Sequence, residues 1–217
     1  MAKARYHHGE LRGALLDAAE ALVRERGVGG WSLREVSSVV GVSASAAYHH
    51  FASREALVRA LAARVLAQLG ERMGQAAAAE PGRGLVAACR AYVRWALEDP
   101  AVRLALNAGG GGTPIAPHPH DVLDAELDRL VAEGELGAPS RPGAEFVVWA
   151  AVHGLTTLLA DGLVTLDEPD GVERETERVV QAVLTGLARE TPPPKPWPAP
   201  HSAHTRRRSA QPGTGGS

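Results

Sequence analysis

Apolar residues recur at three- and four-residue spacing along most of the chain, and glycine, proline and serine interrupt the pattern where helices should end. Leu11, Leu15, Ala18, Ala19, Leu22 and Val23 predict a first helix from about Gly9 to Arg26, closed by Gly27 to Gly30. Ser32 is placed to cap a second helix with Leu33, Val36, Val39 and Val40 on one face, and Gly41 ends it where a positive φ is needed. Val42 is the expected buried turn residue, and Ser43 caps a third helix over Ala44 to His49. Ser53 caps a long fourth helix that runs to Ala79, with Gly70 and Gly74 lowering its stiffness near the far end.

Further helices are predicted from Pro81-Gly82 to Asp99, over Ala101 to about Leu106, over His120 to Glu133, over Ala144 to Asp161 and over Asp167 to Arg189. No segment has a convincing strand period, so the expected fold is all-α. It divides into an N-terminal arm at 1–8, a three-helix helix-turn-helix domain at 9–55, a larger helical domain at 56–190 and a Pro-rich tail at 191–217 whose composition cannot bury enough apolar surface to fold.

The run from Trp31 to Leu57 carries the most specific signal. A short capped helix, a glycine turn and a second short helix with small outward residues form a helix-turn-helix, which places Ser43, Ser45 and Ala46 at the outward start of the third helix. Val36, Gly41-Val42-Ser43, Tyr48-His49-His50-Phe51 and Ser53-Arg54-Glu55-Ala56-Leu57 together resemble the DNA-binding domain of the tetracycline-repressor (TetR) family of transcriptional regulators. That resemblance implies phosphate contacts from Tyr48, His49 and Arg54, and from Ser32 and Arg34 on the preceding helix. The recognition helix departs from the family in its bareness, Ala44-Ser45-Ala46-Ala47, which shifts the expected readout toward thymine methyl groups, the arm or DNA shape. Trp149, His153 and Gly154 stand at the spacing of the Trp-His-Gly helix in one class of TetR-family C-terminal domains.

The family resemblance makes the larger domain a ligand-binding and dimerisation domain, with its helices around a cavity. Tyr92, Trp95 and Trp149 are the candidate walls, and Arg94, Asn107 and His153 the candidate polar contacts. The helix over Ala144 to Asp161 is apolar nearly all round, which asks for burial on more than one side. Paired with the last helix across a two-fold axis it would form a four-helix bundle, with Val179, Val183 and Leu187 in the seam.

Charge adds modest support. Residues 1–60 hold eight Lys or Arg against six acids, residues 61–190 eleven against nineteen, and residues 191–217 four against none. A mildly basic head on an acidic body suits a protein that sets only its head on phosphates, and ordinary variation among solvated faces would also give this pattern. The N-terminus lacks an apolar signal core and no apolar run is long enough to span a bilayer, so the expected location is the cytoplasm, with no membrane partner. The lone Cys89 fits a buried thiol in a reducing compartment.

Catalytic chemistry finds no footing. His118 and His120 lack the further ligands a metal site needs, His153 lacks a nucleophile and an orienting acid, and Gly109 to Gly112 lacks the Lys-Ser/Thr of a phosphate loop. No cofactor, metal or enzyme activity is expected. The expectation is a dimeric transcriptional repressor, released from a palindromic operator in duplex DNA by a small, largely apolar effector. A DNA-binding regulator without an inducer, acting constitutively or through a protein partner, is the alternative.

Overall fold

A computed structural model describes residues 8–27, 29–108 and 115–189. Residues 1–7 of the expected N-terminal arm, the Gly109–Gly112 run and the Pro-rich tail lie outside the described residues, and His8, the arm's last residue, already begins the first helix. The described residues form nine α-helices and one short 3-10 turn at Ala138–Ser140, with no strand among them. The helices are α1 (His8–Arg26), α2 (Leu33–Val40), α3 (Ala44–His50), α4 (Arg54–Ala79), α5 (Gly84–Glu98), α6 (Pro100–Asn107), α7 (Pro119–Ala132), α8 (Ala144–Ala160) and α9 (Gly171–Leu187).

An N-terminal helix-turn-helix domain, α1 to α3, leads into a larger helical domain. Serine caps set the starts of α2, α3 and α4: Ser32, Ser43 and Ser53 each accept a hydrogen bond from a backbone amide three residues on. At the end of α2, Gly41 takes φ 79° and lets the amides of Gly41 and Val42 close on the carbonyls of Ser38 and Ser37. Two apolar expectations change here. Val39 is 62% exposed, and its place on the inner face goes to Ser37, whose hydroxyl donates to the Arg34 carbonyl at 2.7 Å. Val42 is half-buried rather than enclosed.

In the body, α4 and α5 pack together at the centre, with α6 and α7 also against α4, and α8 and α9 against α5. Leu57, Leu61, Val65, Leu69 and Met73 carry one face of α4 through both domains, so a single apolar core runs from head to body. Gly70 has a more exact role than loosening the helix. A Cβ there would lie 2.2 Å from the Pro117 carbonyl oxygen, so only glycine lets the segment before α7 rest on α4. A Cβ on Gly74 would meet nothing within 4 Å beyond its own helical turn.

Ion pairs tie α1 to the body. Arg24 reaches Glu20 at 2.5 Å and Asp99, the N-cap of α6, at 2.8 Å. Arg64 on α4 pairs with Asp17 at 2.6 Å and with Glu20. Burial raises the Asp99 carboxyl, but hydrogen bonds from Arg24 and the Ala101 amide outweigh it and hold the group below the usual aspartate range.

Candidate functional site

The head presents α3 outward because only one side of that short helix is apolar. Ala47 is fully buried with Phe51 beneath it, while Ser45 and His49 are exposed, Ala46 is half-buried and Tyr48 is 48% exposed. Ser43 Oγ accepts from the Ala46 amide at 3.2 Å. Arg34 extends from the exposed side of α2.

Two of the sequence candidates are engaged inside the head. The Ser32 hydroxyl donates to Glu35 at 2.8 Å and accepts from the Glu35 amide, closing a capping box, and these bonds hold the Glu35 carboxyl below its usual range. Arg54 lies with its guanidinium 4.4 Å from the Trp31 ring centroid and donates from Nε to the Trp31 carbonyl at 3.1 Å. Trp31 is buried as a packing anchor of the head, and Arg54 braces it. The sequence shows an arginine at a helix start, but a contact across 23 residues leaves no local signal.

In the body, a small apolar cavity of about 10 Å³ lies among α4, α5, α7 and α8, lined by Met73, Cys89, Tyr92, Leu123, Trp149, Val152 and Pro119. It brings together Tyr92 and Trp149. The Tyr92 hydroxyl and His153 Nδ1 share a 2.8 Å hydrogen bond behind it. Burial pushes the Cys89 thiol up to about 12 and raises the Tyr92 phenol as well, so both are neutral and neither is an available nucleophile. Met73, Leu123 and Val152 were legible only as members of helical stripes, which does not separate a cavity wall from packed core.

The other candidates stand elsewhere. Trp95 is buried beneath the Arg72 guanidinium, 4.0 Å from its ring centroid. Arg94 faces α9 and pairs with Glu173 at 2.5 Å. Asn107 is exposed and donates to the Arg103 carbonyl at 2.8 Å, closing the last turn of α6. Trp149 stacks on His153 with centroids 5.4 Å apart and meets His120 at 4.7 Å; His120 in turn meets His118 at 5.1 Å. His118 caps α7, its Nδ1 accepting from the His120 amide at 3.2 Å. Among the described residues no group of three His, Cys, Asp or Glu is arranged to hold a metal ion. None of their helices is long and apolar enough to cross a membrane.

Among the described residues nothing covers the outer face of α8. Val147 is 41% and Leu158 42% exposed, Ala150 and Gly154 are exposed between them, and a Cβ on Gly154 would meet nothing within 4 Å. On α9, where the seam is expected, Leu187 is buried at 6% and Val183 packs half-buried against the chain's own core. Amphipathic spacing marks which face of α9 is apolar but not which neighbour covers it.

Residues 15–61 match the sequence model of bacterial regulatory proteins of the tetR family, and residues 85–183 that of a tetracyclin repressor-like C-terminal domain. Among solved structures, the chain is similar to a protein of unknown function from Rhodococcus sp. RHA1, at 31% identity over 86% of this chain and 100% of that one, with a TM-score of 0.65. A TetR-family transcriptional regulator from Pectobacterium atrosepticum aligns at 21% identity over 87% and 100% of the two chains, with a TM-score of 0.67. RolR in complex with resorcinol aligns at 17% identity over 85% and 96%, with a TM-score of 0.59. No curated protein matches the sequence.

Proposed function

The chain belongs to the TetR family and is a DNA-binding transcriptional regulator, and from that premise we propose that it works as a dimeric repressor released from a palindromic operator by a small, largely apolar effector. The observation that carries the DNA reading is α3 itself. It is held rigid by a serine cap and a buried Ala47, while Ser45, Ala46, Tyr48 and His49 face outward as a narrow surface that fits a major groove. Ser43 and Arg34 flank that surface, and Arg34 supplies an exposed cation for phosphate.

One seven-residue helix reads few base pairs, so two heads are needed. The uncovered α8 face through Val147, Ala150, Gly154 and Leu158 supports a two-fold pairing that buries apolar surface and lets two backbones approach at Gly154. α9 flanks this seam through its outer side, with Val183 and Leu187 serving the chain's own core.

The effector reading is supported by the apolar cavity, whose wall includes Met73 on α4. An occupant has to part Trp149, Leu123 and Met73, and displacing α4 alters the setting of the head that the same helix enters. The cavity has room for about one water molecule. That size favours the second reading, a regulator without an inducer, to the extent that the walls do not yield.

Selection of bound duplexes from a random pool tests the first step, with a two-fold symmetric site and a dimer in sedimentation expected. A thermal-shift screen of small apolar compounds, followed by operator titration with each stabiliser, tests the second. No duplex selected would overturn the operator reading. Stabilisers that leave operator affinity unchanged would leave the regulator without its inducer.

A further inference from the structure

A second and much larger cleft, about 490 Å³, lies where α1 of the head meets α4 and the body residues Ile115 and Ala116. Its chemistry differs from that of the body cavity. The floor is apolar and low: Ala60, Ala63 and Ala67 follow one another on a single side of α4, with Leu16 and Phe51 beside them. Among the described residues its arginines are Arg12, Arg59 and Arg64, and no acid lines it.

These three cations are not equally spent. Arg64 gives its two Nη groups to Asp17 and Glu20, but its Nε is buried and has no hydrogen-bond partner. Leaving a buried N–H of a charged group unmet is costly, and an acceptor from a bound molecule would meet it. Arg12 lies over the Phe51 ring at 5.1 Å, and Arg59 is exposed, with Glu55 the acid one turn before it on α4.

We infer that this cleft binds an organic anion with a compact apolar body, the apolar part on the alanine floor and the anionic head between Arg12, Arg59 and the Arg64 Nε. Guanidinium groups suit carboxylate and sulfonate heads, and alanines in place of larger residues leave the volume such a body needs. The site is separate from the body cavity and does not depend on the effector reading. Its occupant touches head and body at once, so it braces α1 against α4.

The test uses the full-length chain and 8-anilinonaphthalene-1-sulfonate, with decanoate and decanol as competitors. Probe fluorescence should saturate, decanoate should displace the probe, and decanol should fail to do so. Arg59→Gln, on an exposed side chain, should weaken probe binding about tenfold, as expected for a lost charge-assisted contact. Ala63→Phe should abolish it by filling the floor, and Trp149→Phe in the body cavity should leave it unchanged. Equal displacement by decanol, or full probe binding by Arg59→Gln, would overturn the inference whether or not Ala63→Phe folds. Weakened operator binding by Arg59→Gln with intact probe binding would assign these cations to DNA phosphate instead.

Discussion

Gly70→Ala and Gly74→Ala make a matched pair on one helix. Both replace a helical glycine on α4 and both return about 1 kcal/mol of helix propensity. They differ in what the new methyl meets. At Gly74 it enters open space, so the variant should gain up to about 1 kcal/mol. At Gly70 it would lie 2.2 Å from the Pro117 carbonyl oxygen and 2.9 Å from its carbon, and backbone atoms cannot turn aside as a side-chain end can. Overpacking of this kind costs about 3 kcal/mol, so after the propensity gain the net loss is about 2 kcal/mol. In a domain of this size the melting temperature should fall by about 4–8 °C for Gly70→Ala and rise by about 2–4 °C for Gly74→Ala. Thermal and urea unfolding of the two proteins measure the difference directly. Pro117 stands two residues before Pro119 in the cavity wall, so coupling through α4 predicts weaker operator binding for Gly70→Ala alone. Equal stabilisation of the two variants would refute the close approach and the coupling built on it.

Arg34→Ala should make the salt dependence of DNA binding shallower by about one ion with stability unchanged, whereas Arg54→Ala should also lower the unfolding midpoint because it removes the brace on Trp31; titrations across salt and urea melts separate the two. Leu158→Asp should yield a folded monomer in sedimentation, while Leu187→Asp should unfold the body, and a folded monomeric Leu187→Asp would return that residue to the seam. Burial holds His118, His120 and His153 below the usual histidine range, against weaker opposition from Asp121 at His118 and from Asp124 and Asp121 at His120. The unfolded chain therefore binds more protons near pH 6.5, and the stability these groups contribute should be present well above that value and be lost as the pH falls through and below it. His120→Phe should flatten that slope in urea titrations, and an unchanged slope would remove His120 from the titration.

Local chemistry made the head legible. Caps at Ser32, Ser43 and Ser53 and the glycine at Gly41 act within three or four residues, so their physics is written in adjacent letters. Tyr92, Trp149 and His153 also come together in the structure; helical spacing puts Trp149 and His153 on one face, whereas Tyr92, on another helix, is a candidate wall only through what the resemblance implies. What escaped depends on distance along the chain. Nothing near Gly70 announces Pro117, nothing near Arg24 announces Asp99, and Arg94 looks identical whether it faces a cavity or Glu173. Val39 shows the converse limit: a valine on the expected face of a two-turn helix is turned to solvent because Ser37 takes the inner place by bonding back to its own helix.

The ion pairs from Arg24 and Glu20 on α1 to Arg64 and Asp99 bear on how far this protein is modular. The two matched regions, 15–61 and 85–183, invite treatment as exchangeable parts, and a chimera joining this body to a relative's head would keep every cap and every buried leucine of α4 beyond the junction. It would also leave Asp99 and Arg64 facing whatever the donor's first helix carries. A graft that transfers Asp17, Glu20 and Arg24 with the body moves the whole charge set as one inheritance unit, and descent should show the same constraint, with substitutions at these five positions arriving together rather than singly.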